Sequence, residues 1–254
     1  MYQNNKLFVI LVQSKLVLIM RNLNLFFIFW ILFLSNTVFS QDTSEIAPEI
    51  SAHFLQREQY SDSILFYRKL YKKSKRIQKK EENLELAFYV ALQYYPELKD
   101  TKISVKLKKI KSTMMAQPDA DFIVKSKNNR KYRILINSSK EFNGMNYEDL
   151  SFNSLVGWIG HELAHITEYN QKSNGQLVHF ISNYLFSRKH LKHTENSADK
   201  ETVKRGLGYS LYEGVTFLFK NPKIFKNYKE RNKEYYLSPT EILAEIKLTE
   251  QKNK

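Results

Sequence analysis

Two histidines and a glutamate carry the chemistry most legible in this chain. Residues 160–166 read Gly160, His161, Glu162, Leu163, Ala164, His165 and Ile166. On a helix His161 and His165 leave the same face one turn apart, so their imidazoles converge on a single point. Neutral imidazole nitrogens are preferred zinc ligands. Glu162 directly follows the first histidine, where its carboxylate reaches a metal-bound water rather than the metal. The spacing therefore predicts one catalytic Zn2+, a general base and a hydrolytic reaction. Upstream, Leu150, Phe152, Leu155, Val156, Trp158 and Ile159 fall at helical spacing. The histidines then sit at the edge of a core, where an unliganded pair would be poorly solvated.

A catalytic zinc site needs three protein ligands and one open position. A glycine and a histidine three and six residues after His165 would complete a metzincin site, but Glu168 and Gln171 stand there, which excludes that class. A second helical stretch begins near His193 and ends near Gly206 and Gly208, residues suited to a C-terminal cap. Glu195 and Asp199 are four apart on it and share a face. Glu195 is the candidate third ligand, and Asp199 can accept a hydrogen bond from the outer nitrogen of a zinc histidine and fix its tautomer.

On these residues the chain resembles the gluzincins, the metallopeptidase clan that holds thermolysin and the HtpX-type peptidases. They pair His-Glu-x-x-His with Glu-x-x-x-Asp on a following helix. The wording from Glu195 to Asp199 is closer to the HtpX-type version, and the resemblance runs from about Arg130 to Gly208, without the membrane helices usual in that subgroup. It implies that His161, His165 and Glu195 are ligands, that Glu162 is the base, and that Asp199 supports His161. It also implies a zincin-like α+β fold in which an edge strand pairs with a peptide or protein substrate. An extended peptide gains main-chain hydrogen bonds at such an edge without demands on its sequence. Tyr132, Ile134 and Ile136 are the candidate edge residues. An oxyanion formed during hydrolysis needs a further donor, and Tyr209, Tyr212, Tyr235, Tyr236, His190 and His193 all remain open for that role. His179 lies in an apolar run and reads as a core or boundary residue.

The elements that must hold this site read as helices at about 57–80 and 82–95, a strand near Ile103–Leu107, and a hairpin from 121–125 and Tyr132–Asn137. Helices follow at Leu211–Phe219 and, after a basic aromatic connector over 221–236, from Ser238, where Pro239 and Glu241 supply a first-turn proline and a capping box. Strands clustered mid-chain between helices give an α+β class. Residues 41–100 form an exposed leader and helical region, and 101–254 the zincin-like catalytic domain.

The first forty residues hold no acidic side chain. Met20 and Arg21 followed by the apolar run Leu23–Leu34 read as a signal peptide cleaved near Ser40, with Met20 a possible true start. Its rival is an N-terminal membrane anchor. The expected location is therefore outside the cytoplasm, periplasmic or secreted. The chain has no cysteine, so it carries no disulfide, thiolate nucleophile or lipidated cysteine. Net charge is +14, and Lys6, Lys15 and Arg21 account for three of these, leaving +11 on residues 41–254. The densest basic stretch, 68–80, shares a helix with the apolar stripe Tyr60, Ile64, Tyr67 and Tyr71. Its lysines are then a solvated face, with adhesion to an anionic membrane surface or envelope polymer as the functional alternative. No nucleic-acid motif accompanies the charge, and the sequence leaves the oligomeric state open. Two non-enzymatic classes compete: a zinc-holding envelope domain without chemistry, and a basic surface-binding protein with an incidental motif.

Overall fold

The helix that carries His161 and His165 is buried along most of its length, and the rest of the fold is arranged around it. The computed structural model describes residues 48–77 and 81–252. The signal-like start and its proposed cleavage point lie outside these residues. After a helical turn at Pro48–Ser51, the elements are α1 (Ile64–Tyr71), β1 (Lys75–Ile77), α2 (Glu82–Gln93), β2 (Lys102–Lys108), β3 (Met114–Pro118) and β4 (Lys131–Asn137). They continue as α3 (Phe152–Gln171), α4 (Asn174–Phe186), α5 (Arg188–Thr202), α6 (Gly208–Lys220), α7 (Lys226–Tyr235) and α8 (Pro239–Lys252). The class is α+β with one small mixed sheet. No helix among the described residues is long and apolar enough to cross a membrane.

The sheet runs β1-β2-β4-β3. β1, β2 and β4 are parallel, and β3 pairs antiparallel with β4, Ala116 opposite Ile134. This corrects two sequence expectations. The hairpin exists, but its first strand is β3; residues 120–123 form a 3-10 turn in the connection. Tyr132, Ile134 and Ile136 lie on β4, which is paired on both sides, so they are internal and not an edge. All three side chains are buried. Their alternation satisfies an inner strand as well as an outer one, and β3 takes the edge.

The helix expected over 57–80 is also shorter. Two 3-10 turns precede α1, and the chain leaves the helix to pair Lys75 with Ile103 on β2. The buried Lys75 ammonium donates to the carbonyls of Leu98 (2.8 Å), Lys99 (2.8 Å) and Thr101 (2.7 Å), with Ser74 Oγ a longer fourth acceptor at 3.2 Å, so its three protons are satisfied. The stripe Ile64, Tyr67 and Tyr71 is buried as expected. The connector 221–236 contains α7, and the leader is docked at Leu55, whose amide donates to the Asn153 side-chain oxygen Oδ1 at 2.9 Å. The described residues form one compact unit in which α2 packs on α3.

Both ends of α3 are fixed from outside. Ser151 caps its start by accepting from the Ser154 amide. The Glu213 carboxylate on α6 collects Ser151 Oγ (2.6 Å), Ser154 Oγ (2.9 Å) and Asn153 Nδ2 (3.0 Å). At the other end the buried Arg130 guanidinium donates to the Tyr169 carbonyl (3.2 Å), the Lys172 carbonyl (2.8 Å) and the Asn174 side chain. A cation at a helix C-terminus also complements the orphan carbonyls there. α6 crosses α3 closely at Gly157, where a Cβ would lie 2.3 Å from the Ser210 carbonyl carbon. The helix is therefore held at both ends and in the middle.

Candidate metal centre

Every residue of α3 from Phe152 to Thr167 is buried, so the two histidines face protein on all sides. Between α3 and α5 the ligand atoms of His161, His165 and Glu195 converge, all lying within 4.8 Å of one another. His161 Nε2 is 3.0 Å from His165 Nε2 and 3.1 Å from Glu195 Oε2, and His165 Nε2 is 3.3 Å from the same oxygen. Donors bound at 2.0–2.1 Å around a tetrahedral zinc stand about 3.3–3.4 Å apart. The observed triangle fits that spacing closely.

Protonation gives a second test of fit. His161 Nδ1 lies 2.8 Å from Asp199 Oδ1, and Asp199 Oδ2 accepts the Leu237 amide at 2.9 Å. A proton on Nδ1 satisfies Asp199 and leaves a lone pair on Nε2, aimed at a carboxylate oxygen and at the other imidazole. Such a cluster of acceptors in a buried space is unfavourable without a cation among them. Burial alone would lower the His161 pKa, but hydrogen bonds to Asp199 and Glu195 hold it well above the ordinary histidine value. Burial likewise opposes Glu195 ionisation, yet the imidazoles of His165 and His161 keep it well below the usual carboxylate range. The residues present therefore suit a divalent ion bound by two nitrogens and one oxygen.

Glu162 differs from the other buried carboxylates. It is only 4% exposed and takes part in none of the ion pairs among the described residues. Burial raises its pKa, with His161, His165 and the Ala116 backbone amide offsetting part of the effect. Ala116 lies on β3, so Glu162, the histidine helix and the outer strand meet at one place. Tyr184 on α4 donates its hydroxyl to Glu195 Oε1, which leaves Oε2 directed at the imidazoles. Sequence reasoning missed this residue: Tyr184 sits in an apolar helical run and reads as an ordinary core phenol.

Of the six candidate oxyanion donors, only Tyr236 is brought to the centre. Its ring lies 5.7 Å from that of His161, and burial, then the Glu195 charge, push its hydroxyl pKa well above the ordinary value. Tyr209 instead stacks on His53 and bonds Glu250. Tyr235 hydrogen-bonds Glu234, and Tyr212 packs on the core from α6. His193 is exposed. His190 is linked to His165 only through the rings of Phe180 and Tyr169. His179 is exposed and paired with Asn183, not a core residue.

Comparison with protein-family models, curated proteins and solved structures returns no match.

Proposed function

We propose that the protein is a zinc-dependent metallopeptidase of gluzincin type, with a zincin-like fold, exported behind a signal peptide and acting on peptide or protein substrates. The observation that carries this reading is Glu162. A site built only to hold metal has no need of a further buried carboxyl beside the ligands that forms no ion pair; hydrolysis requires a base there. His161, His165 and Glu195 would hold the ion, whose chemistry is to polarise a carbonyl and to make water acidic near neutral pH.

The chain's own residues account for the remaining steps. Glu162 takes the proton of the attacking water and returns it to the leaving amine. Burial raises its pKa, which makes it the stronger base toward the water proton. Asp199 fixes the His161 tautomer and Tyr184 orients Glu195. Tyr236 is the phenol positioned to donate to developing negative charge. β3, unpaired on its outer side among the described residues, is the edge to which an extended substrate adds.

The competing reading, a metal-holding domain without chemistry, draws on the low exposure of the ligands: 1% for His161 and Glu195 and 5% for His165. One comparison separates the two. The purified chain and its Glu162→Gln form are analysed for zinc content and for cleavage of a diverse peptide library. Both forms are expected to hold one zinc, and the variant to lose cleavage by about 10²–10⁴-fold or more. Undiminished cleavage by Glu162→Gln removes Glu162 as the base, and a zinc-loaded wild type inert on every peptide supports the domain without chemistry.

A further inference from the structure

α1 has two faces of unusual contrast. Its inner face carries Ile64, Tyr67 and Tyr71 and is locked onto α2. Tyr67 and Tyr71 stack about Tyr89 with ring separations of 5.7 and 5.6 Å, and Arg68 forks onto the Glu85 carboxylate at 3.0 and 2.7 Å. The outer face carries Leu65, Phe66 and Leu70, exposed to 70%, 62% and 42%. Four exposed cations accompany them in sequence: Lys69 on the same helix, Lys72 and Lys73 in the turn after it, and Arg76 on β1. None of these four cations takes part in an ion pair among the described residues. At about 100° per residue, Leu65 and Lys69 form one row of α1 and Phe66 and Leu70 the next, with Lys72 and Lys73 in the turn that follows. Apolar tips and the Lys69 stem therefore share the outer surface of α1.

We propose that this face binds the surface of an anionic lipid bilayer. Exposed Phe and Leu gain by entering the boundary between headgroups and acyl chains, and lysines gain from anionic headgroups at the same depth. The long lysine stems lie along apolar surface while their ammonium groups stay at the phosphates. A soluble polyanion engages the four cations but leaves Leu65, Phe66 and Leu70 in water. Nucleic acid offers stacking to Phe66 and nothing to the two leucines. The combination of three large apolar tips with unpaired cations fits a lipid interface best. The inner-face lock means that the patch is preformed, so binding orders no additional backbone. This surface acts independently of the metal centre.

The absence of cysteine from the chain makes the test specific. A single Phe66→Cys substitution in the full chain carries an environment-sensitive fluorophore that reports that position alone, so membrane contact elsewhere cannot mimic the signal. With vesicles of phosphatidylcholine containing 30% phosphatidylglycerol, blue-shifted and enhanced emission is expected. With pure phosphatidylcholine the label stays in water. Each of Lys69→Gln, Lys72→Gln and Lys73→Gln should weaken partitioning about fivefold, and the triple variant should lose the shift. A label at Lys247→Cys, exposed on α8, stays unshifted. Leu65→Cys gives the same readout should the residue-66 variant fold poorly, and unchanged thermal midpoints verify the lysine variants. An unshifted label on vesicle-bound protein overturns the proposal. So does a shift induced by soluble polyphosphate without vesicles, or one that follows protein concentration alone, which would mark self-association.

Discussion

At the scale of single residues the centre depends on groups that never touch a metal. Asp199 uses both oxygens, one for His161 Nδ1 and one for the Leu237 amide, so the loop between α7 and α8 helps fix the imidazole. Tyr184 holds the far oxygen of Glu195. Partners of this kind typically affect metal affinity 10–100-fold. Asp199→Asn and Tyr184→Phe are therefore each expected to weaken zinc binding by roughly that factor while leaving one zinc per chain at saturation. Competition with a calibrated chelator measures it, and wild-type affinity in both variants would show that these contacts do not tune the site. The sequence made His161, Glu162 and His165 legible because one turn of helix relates them. Glu195 and Asp199 were legible as a shared face. Tyr184 was not, since it reaches Glu195 from another helix across the break at Ser187, and nothing in an apolar run marks which phenol will turn toward a carboxylate. Tyr236 could not be separated from five rivals because its approach depends on where α7 stops.

At the scale of elements, the position of α3 against α6 sets where the histidines point. Gly157 permits that crossing: an added Cβ would meet Ser210 and Leu211 backbone atoms at 2.3–2.4 Å. Backbone cannot step aside as a flexible side chain can, so Gly157→Ala must push the two helices apart. Overpacking of this kind costs about 1–3 kcal/mol, measurable by urea unfolding. Gly175, with open space at its Cβ position, is the control. Equal stability of Gly157→Ala and wild type would mean that the crossing relaxes freely. Gly206 acts differently. Its φ of 91° kinks the chain within Val203–Leu207, between α5 and α6, in keeping with the helix end read near that residue. Strand pairing was the least legible feature. β4 announces itself by β-branched and aromatic alternation, whereas β3 (Met114, Met115, Ala116, Gln117, Pro118) has neither. The outer strand therefore escaped a reading based on side-chain preference, although it is the one beside Glu162.

At the scale of the whole molecule, two kinds of long-range closure set stability. One joins the turn after α2 to α3 and to the segment after α5: Glu97 accepts from Arg205 at 2.7 and 2.9 Å and from Thr167 at 3.1 Å. Burial opposes Glu97 ionisation, but these donors lower its pKa below the ordinary value. A carboxyl depressed in the folded state binds protons less tightly there than when unfolded. Its contribution is complete above the unfolded pKa of about 4.3 and fades as pH falls through the folded value. Thermal midpoints taken from pH 6 down to pH 3 should fall less in Glu97→Gln than in wild type, and parallel curves would rule out this coupling. The other closure would come from the proposed metal. Three buried donor atoms from α3 and α5 face one another, so a bound ion ties the two helices and unfolding must release it. At free zinc a thousandfold above Kd this linkage contributes about 4 kcal/mol, or on the order of 10 °C in Tm for a chain of this size. Chelation should remove that increment, and Glu195→Ala should never show it. Glu162→Gln should keep it in full, because the base lies beside the ion without holding it. An increment lost in Glu162→Gln would make Glu162 a ligand and take away the residue on which the hydrolytic reading depends.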